Sequence, residues 1–158
     1  MSRTAYYTDF LAIPALALLL VTVGGASVAG IAFGLAAWSL AEYVIHRFLF
    51  HRLPVFRDAH DLHHARPCAR TGVTSWHSLA IFGALFLVLS AGVLAGVALG
   101  YLAYITVHHA VHHCRIGPGH PLYGLKMRHA MHHHGVEANF GVVTTLWDRV
   151  FRTYQARR

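Results

Sequence analysis

An all-α integral membrane fold, with four transmembrane helices arranged as two hairpins and a cytoplasmic helical cap, is what this sequence predicts. Three observations carry that expectation. The 158 residues are 56% hydrophobic and only 12% charged, about half the charge of an ordinary soluble domain. Charge is also excluded from two long stretches: no Asp, Glu, Lys or Arg lies between Asp9 and Glu42, or between Arg70 and Arg115. Each of these stretches is followed by a polar segment crowded with histidine. The length suits a single membrane-embedded domain over residues 1–158.

The elements follow in chain order. The first apolar stretch exceeds the ~20 residues one crossing needs. Gly24, Gly25, Ser27 and Gly30 interrupt it, which predicts a hairpin with spans over about 7–23 and 28–48. The second stretch would extend ~66 Å as one helix, twice a bilayer core. Gly92 and Gly96 lie near its middle, so it too reads as a hairpin, with spans over about 78–91 and 93–106 and an uncharged tip at Ser90–Gly96. The polar remainder comprises about 47–76 and 114–158.

Four crossings put the N-terminus, the middle polar segment and the tail on one side. Every Lys and Arg then falls on that side, which the positive-inside rule makes cytoplasmic. The net charge of +7 therefore reflects membrane orientation, and no nucleic-acid partner is expected. Cys68 and Cys114 form no CxxC pair, so neither a disulfide framework nor a thiolate zinc site is indicated. Leu11 to Val23 reads as a retained span rather than a cleaved signal.

Fifteen histidines are the main chemical signal, and they are grouped. They run His46-Arg-Phe-Leu-Phe-His51, His60-Asp-Leu-His63-His64, His108-His109-Ala-Val-His112-His113 and His129-Ala-Met-His132-His133-His134. Helical residues at i, i+3 and i+4 share a face. His60 with His63 and His64, His129 with His132 and His133, and His108 with His112 each present imidazoles together. His46 and His51 are five apart, about 140° on a regular helix, so they reach different metals or the helix breaks near Pro54. Neutral imidazole suits zinc, copper, iron and nickel. One metal takes three or four protein ligands, so about ten grouped histidines imply two metals. HxxHH in the third group can also be read as His109, His112 and His113. His77, His120 and His134 read as structural, interfacial or solvent-facing.

From Ala41 onward the chain resembles the fatty acid hydroxylase superfamily, which includes sterol desaturases and carotenoid ring hydroxylases. The resemblance rests on Glu42-Tyr43-x-x-His46-Arg47-x-x-Phe50-His51 and the three further histidine boxes. It rests also on Asn139-Phe140-Gly141 and on Leu146-Trp147-Asp148-Arg149-x-Phe151-x-Thr153-Tyr154. It implies metal ligands at His46, His51, His60, His63, His64, His108, His112, His129, His132 and His133. The ring hydroxylases' H-x4-H spacing would select His113 instead of His112. Implied too are two iron ions, with zinc accepting the same donors, and O2 as co-substrate. The expected reaction hydroxylates or desaturates an unactivated C–H bond of a membrane lipid such as a fatty-acyl chain. No ferredoxin-like cysteines, nucleotide-binding glycine motif or haem domain is recognisable, so an external ferredoxin- or cytochrome-type donor is expected.

Glu42, one turn before His46, is expected to orient a ligand imidazole or to pair with an arginine. Asp58, Asp61, Asn139 and Asp148 are further candidates for supporting the ligands. Two alternative functions remain open at this level. One is a carotenoid β-ring hydroxylase, favoured by small size and the H-x4-H spacing. The other is a metal-binding membrane protein without catalysis. Transporters place ionisable groups near the bilayer midplane, whereas these histidines sit at the cytoplasmic ends of spans.

Overall fold

The computed structural model describes residues 2–70, 74–135 and 137–156. Among them there is no β-strand. The elements are α1 (Arg3–Tyr7), α2 (Asp9–Thr22), α3 (Val28–Val44), a π-helical turn (Ile45–Phe50), α4 (Pro54–Ala65), α5 (Ser75–Phe86), α6 (Ala91–His113), α7 (Tyr123–His133) and α8 (Leu146–Val150). The chain forms two compact units, one of residues 1–39 and 72–103, the other of residues 40–71 and 104–158.

The first unit is the apolar one. Among the described residues three helical segments are long and apolar enough to cross a membrane: Arg3–Thr22, Val28–Phe50 and Ala91–His113. Only 17% of the apolar window of Val28–Phe50 is buried in the protein, so its hydrophobic side chains mostly face outward, as lipid requires. Val28, Phe33, Leu18 and Leu87 are among the exposed large residues. Inside, Ile13, Ala17 and Leu20, spaced along one stripe of α2, pack with Phe82 of α5 and with Leu94, Ala95, Val97 and Ala98 of α6. The chain is a membrane protein by these helices.

The first turn falls where expected, between Thr22 and Val28, but the second hairpin differs. The second turn lies at residues 87–90, and α6 already begins at Ala91, so Gly92 and Gly96 are inside the helix rather than at its tip. Their purpose is close packing. A Cβ on Gly96 would meet the Ile31 carbonyl and stand 2.8 Å from Gly34 Cα, and one on Gly34 would meet the Val93 carbonyl and stand 2.9 Å from Gly96 Cα. Gly30 and Gly34 of α3 thus face Gly92 and Gly96 of α6, the small-residue packing by which helices associate in lipid. Glycines in an apolar run suggested a bend; here they let two backbones touch. The α5 helix has 12 residues, ~18 Å of rise, against a core of ~30 Å, so the expected 78–91 span is shorter than a full crossing.

A buried carboxylate in this unit lies just inside the first apolar run. Asp9 is 4% exposed; its Oδ2 accepts hydrogen bonds from Ser78 Oγ at 2.5 Å and Tyr101 Oη at 2.7 Å. An ionisable group among apolar helices is costly unless paired. These hydroxyls serve Oδ2, while the buried Oδ1 has no hydrogen-bond partner among the described residues, and they tie α2 to α5 and α6.

The second unit holds the π turn, α4, the end of α6, α7 and the tail. Pro54 starts α4, where its missing N–H removes nothing the helix needs. The tail is short of regular structure and is held by side chains instead.

Gly96→Val should cost about 1–3 kcal/mol through overpacking, read as a lower Tm in detergent. Gly83→Ala, with open space where its Cβ would go, should raise Tm by adding helix propensity. Equal losses in both variants would mean the glycine contact has been misread.

Candidate metal centre

Ten histidines of the second unit converge in two groups. His46, His51, His60, His64 and His132 form the first; His63, His108, His112, His129 and His133 form the second. Within each group one ring nitrogen per residue lies within 4.8 Å of all the others.

The π turn explains the first group. On a regular helix His46 and His51 would diverge, but i→i+5 bonding places residues five apart one above the other. Their rings lie 5.3 Å apart, inclined by 30°, and both join the same group. The extra residue per turn therefore serves the site, as π segments often do. Helix α4 divides its box: His60 and His64, one turn apart, go to the first group, and His63 goes to the second. Helix α7 does the reverse, sending His132 to the first group and His129 and His133 to the second.

The nitrogen geometry is not that of a hydrogen-bond network. His60 Nε2 lies 3.1 Å from His46 Nε2, 3.0 Å from His51 Nε2 and 3.0 Å from His64 Nε2. One imidazole nitrogen has a single in-plane hydrogen or lone pair, so it cannot serve three partners. In the second group the corresponding contacts are His63–His108 at 3.1 Å, His108–His112 at 3.2 Å, His112–His129 at 2.8 Å and His129–His133 at 3.0 Å. Metal–nitrogen bonds of about 2.0–2.1 Å put neighbouring ligand nitrogens ~2.9 Å apart at right angles and ~3.4 Å apart in a tetrahedron. The observed spacings match lone pairs aimed at a shared cation, so the residues fit two metal ions.

The electrostatics agree. Burial, followed by the neighbouring histidines, pushes His60 down to about 2 and His63 and His133 to about 3. His132 falls to about 3 for the same leading cause, and His64 to about 4. His51 and His129 are shifted the same way. These imidazoles are neutral at neutral pH, the state a metal binds.

Two rings of the first group are fixed from behind. His46 Nδ1 lies 2.5 Å from the Phe140 carbonyl, and His132 Nδ1 lies 3.0 Å from the Ala138 carbonyl. A carbonyl only accepts, so Nδ1 carries the hydrogen and Nε2 keeps its lone pair. Asp148 shapes this loop: its Oδ1 accepts from Phe140 N at 2.9 Å and its Oδ2 from Gly141 N at 2.9 Å. Glu42 Oε1 accepts from Val142 N at 2.7 Å and Val143 N at 3.1 Å. Glu42 thus bonds to backbone, where the sequence suggested an imidazole or an arginine. Asn139 sits at φ 58°, and its Oδ1 accepts from Gln155 N at 3.0 Å. Tyr43 and Thr153 join the same support through a 3.0 Å contact between their hydroxyls. Tyr43 lies outside the candidates drawn from sequence; the signal available was its place beside Glu42 in the first box.

Other candidates lie elsewhere. Asp61 is exposed, 4.0 Å from Arg57, and Asp58 is likewise exposed beside Arg57. His113 stacks on His109, ring centres 4.5 Å apart, while His112 stands in the second group. His77 meets Thr74 Oγ1 at 2.7 Å, and His120 Nδ1 accepts from Leu122 N at 3.1 Å; both are exposed.

Fold and site together define a helical membrane protein with a double imidazole cluster. The family model for fatty acid hydroxylase matches residues 31–153, a span that holds all ten clustered histidines. The chain belongs to the fatty acid hydroxylase family. It is 34% identical over 140 residues to fatty acid 2-hydroxylase of Macaca fascicularis, covering 76% of this chain and 38% of that one. It is 31% identical over 144 residues to dihydroceramide fatty acyl 2-hydroxylase FAH2 of Arabidopsis thaliana, covering 78% and 59%. Ceramide very long chain fatty acid hydroxylase scs7 of Schizosaccharomyces pombe is 33% identical over 143 residues, covering 76% and 40%. The chain therefore spans less than two thirds of these relatives. The solved structure of full-length scs7p, in which only the hydroxylase domain is visible, superposes with a TM-score of 0.78 at 25% identity, over 96% of this chain and 67% of that one.

Titrating the purified chain with zinc(II) or cobalt(II) should give two bound ions. His112→Ala should lose about one of them and His113→Ala neither; the opposite pattern would exchange their roles.

Proposed function

We propose that residues 1–158 form a single multi-pass hydroxylase domain that holds two irons and, with O2 and an external electron donor, hydroxylates a fatty-acyl chain of a membrane lipid. The observation that carries this reading is the partition of ten imidazoles into two groups of five. Relatives named fatty acid 2-hydroxylase and ceramide very long chain fatty acid hydroxylase support an acyl substrate, and the former name favours the carbon next to the carbonyl. His112 rather than His113 lies in the cluster, which favours the acyl reading over a carotenoid ring substrate. Hydroxylation is favoured over desaturation by the same relatives.

The ligands in this reading are His46, His51, His60, His64 and His132 for one ion, and His63, His108, His112, His129 and His133 for the other. Bound iron would supply the redox chemistry that activates O2 for attack on a C–H bond, which no side chain can. The balance needs two electrons and two protons from outside per hydroxyl formed, with one oxygen atom entering the lipid and the other leaving as water.

The chain's own residues do the rest. The Phe140 and Ala138 carbonyls keep the protons of His46 and His132 on Nδ1. Tyr104 stacks on His108, centres 5.5 Å apart at 13°, and covers that ligand's face. The apolar outer faces of α2, α3 and α5 suit a domain whose substrate arrives from the bilayer. Arg3 aside, every Lys and Arg lies in the second unit; by the positive-inside rule that unit is cytoplasmic, with α5 as the fourth, shorter membrane segment.

Cells expressing the wild-type chain should accumulate fatty acids one oxygen heavier, with the hydroxyl at the second carbon by fragmentation. His63→Ala should abolish the product. Hydroxylated pigment in a carotene-producing host, with no hydroxylated fatty acid, would overturn the acyl assignment.

A further inference from the structure

Four consecutive backbone N–H groups, at residues 140–143, are held by two buried carboxylates. Asp148 takes Phe140 and Gly141, one on each oxygen; Glu42 takes Val142 and Val143, both on Oε1. Glu42 is 4% exposed and Asp148 0%. A hydroxyl chain reinforces Asp148: Arg47 Nη1 donates to Tyr43 Oη at 2.8 Å, and Tyr43 meets Thr153 Oγ1 at 3.0 Å. Thr153 Oγ1 in turn donates to Asp148 Oδ1 at 2.8 Å. Gly141 must be glycine, since a Cβ there would meet the Thr144 carbonyl and stand 2.9 Å from Asp148 Oδ2.

This scaffold serves one half of the cluster. The Phe140 carbonyl, on the peptide whose Gly141 N–H Asp148 holds, fixes His46, and the Ala138 carbonyl, on the peptide whose Asn139 N–H donates to the Thr153 carbonyl, fixes His132; both rings belong to the first group. In the second group, His129 is 3% exposed and its Nδ1 is buried with no hydrogen-bond partner among the described residues. A ligand imidazole whose far nitrogen donates to an acceptor is oriented, held in one tautomer and made more basic.

Resting on the metal reading above, we propose that Asp148 and Glu42 are positioning residues for the first group alone, which makes its ion the more tightly held of two unequal metals. Neither residue touches the metal; each acts through the loop and the two braced imidazoles.

The two carboxylates predict different responses to amide substitution. Asp148 uses both oxygens as acceptors, so Asp148→Asn must set an NH2 against an N–H or a hydroxyl donor. Glu42 uses one oxygen for both bonds, so Glu42→Gln keeps the acceptor, whereas Glu42→Leu removes it.

The experiment is release of zinc(II) from the loaded full chain in detergent to an excess of chromophoric chelator. Wild type should release two ions in two phases of equal amplitude, with His51→Ala lacking the slow phase and His112→Ala the fast one. Asp148→Asn and Glu42→Leu should accelerate the slow phase about 10- to 100-fold, the usual range for losing such support, and leave the fast phase unchanged. Glu42→Gln should behave as wild type. Circular dichroism melting reports whether Asp148→Asn folds; if it does not, the Glu42→Leu and Glu42→Gln pair decides. Release of both ions in one wild-type phase, or equal acceleration of both phases by these variants, overturns the inference while leaving two metals in place. A wild-type chain that holds fewer than two ions overturns the metal reading, and this inference with it.

Discussion

Ten imidazole nitrogens gathered into two groups of five, those of each group within 4.8 Å of one another, are the constraint on which the rest of the second unit depends. Such an arrangement has no stable justification as hydrogen bonding, because His60 Nε2 has three such neighbours and His51, His108, His112 and His129 have two each, more than one nitrogen can serve. Burial and mutual repulsion keep the rings neutral, and the surrounding elements supply the orientation. The π turn, the two helices that each divide their box between groups, and the folded tail all meet this one demand.

The non-histidine residues of the motifs then acquire a common purpose. Glu42, Tyr43 and Arg47 of the first box and Asn139, Gly141, Asp148 and Thr153 of the tail are joined by hydrogen bonds into one scaffold. Removing a buried carboxylate from such a network leaves backbone donors unsatisfied, which costs more than the net worth of the bonds. The cost of burying Glu42 on an apolar helix is partly offset by two backbone donors on Oε1, while its Oε2 has no hydrogen-bond partner among the described residues. Asp9 obeys the same logic in the first unit, with hydroxyls in place of amides.

Much of this was legible in the sequence. The absence of charge over two long stretches follows directly from the cost of burying ions in lipid, so helices there needed no tertiary information. The i, i+3, i+4 spacing in His60–His64 and His129–His133 told which imidazoles share a helix face. It did not tell which group each would join, since adjacent residues such as His132 and His133 fall in different groups. Gly92 and Gly96 read as a bend because glycine breaks helices in water; packed against Gly30 and Gly34 they are contact surfaces. The pairing of Glu42 with Val142 and Val143 was invisible because its partners are backbone groups 100 and 101 positions away.

The sequence by itself determined the chemistry: apolar runs that must be helical in a membrane, and a count and grouping of neutral donors sufficient for two metals. Tertiary structure decided the geometry. A regular helix would have turned His46 and His51 apart, and only the π turn, an i→i+5 departure that local propensity does not encode, brings them onto one face. His112 and His113 satisfied the motifs equally well as letters; packing chose His112 by turning it toward His108 and His129 and leaving His113 stacked on His109. Spacing names the candidates, but convergence is a property of several chain segments at once.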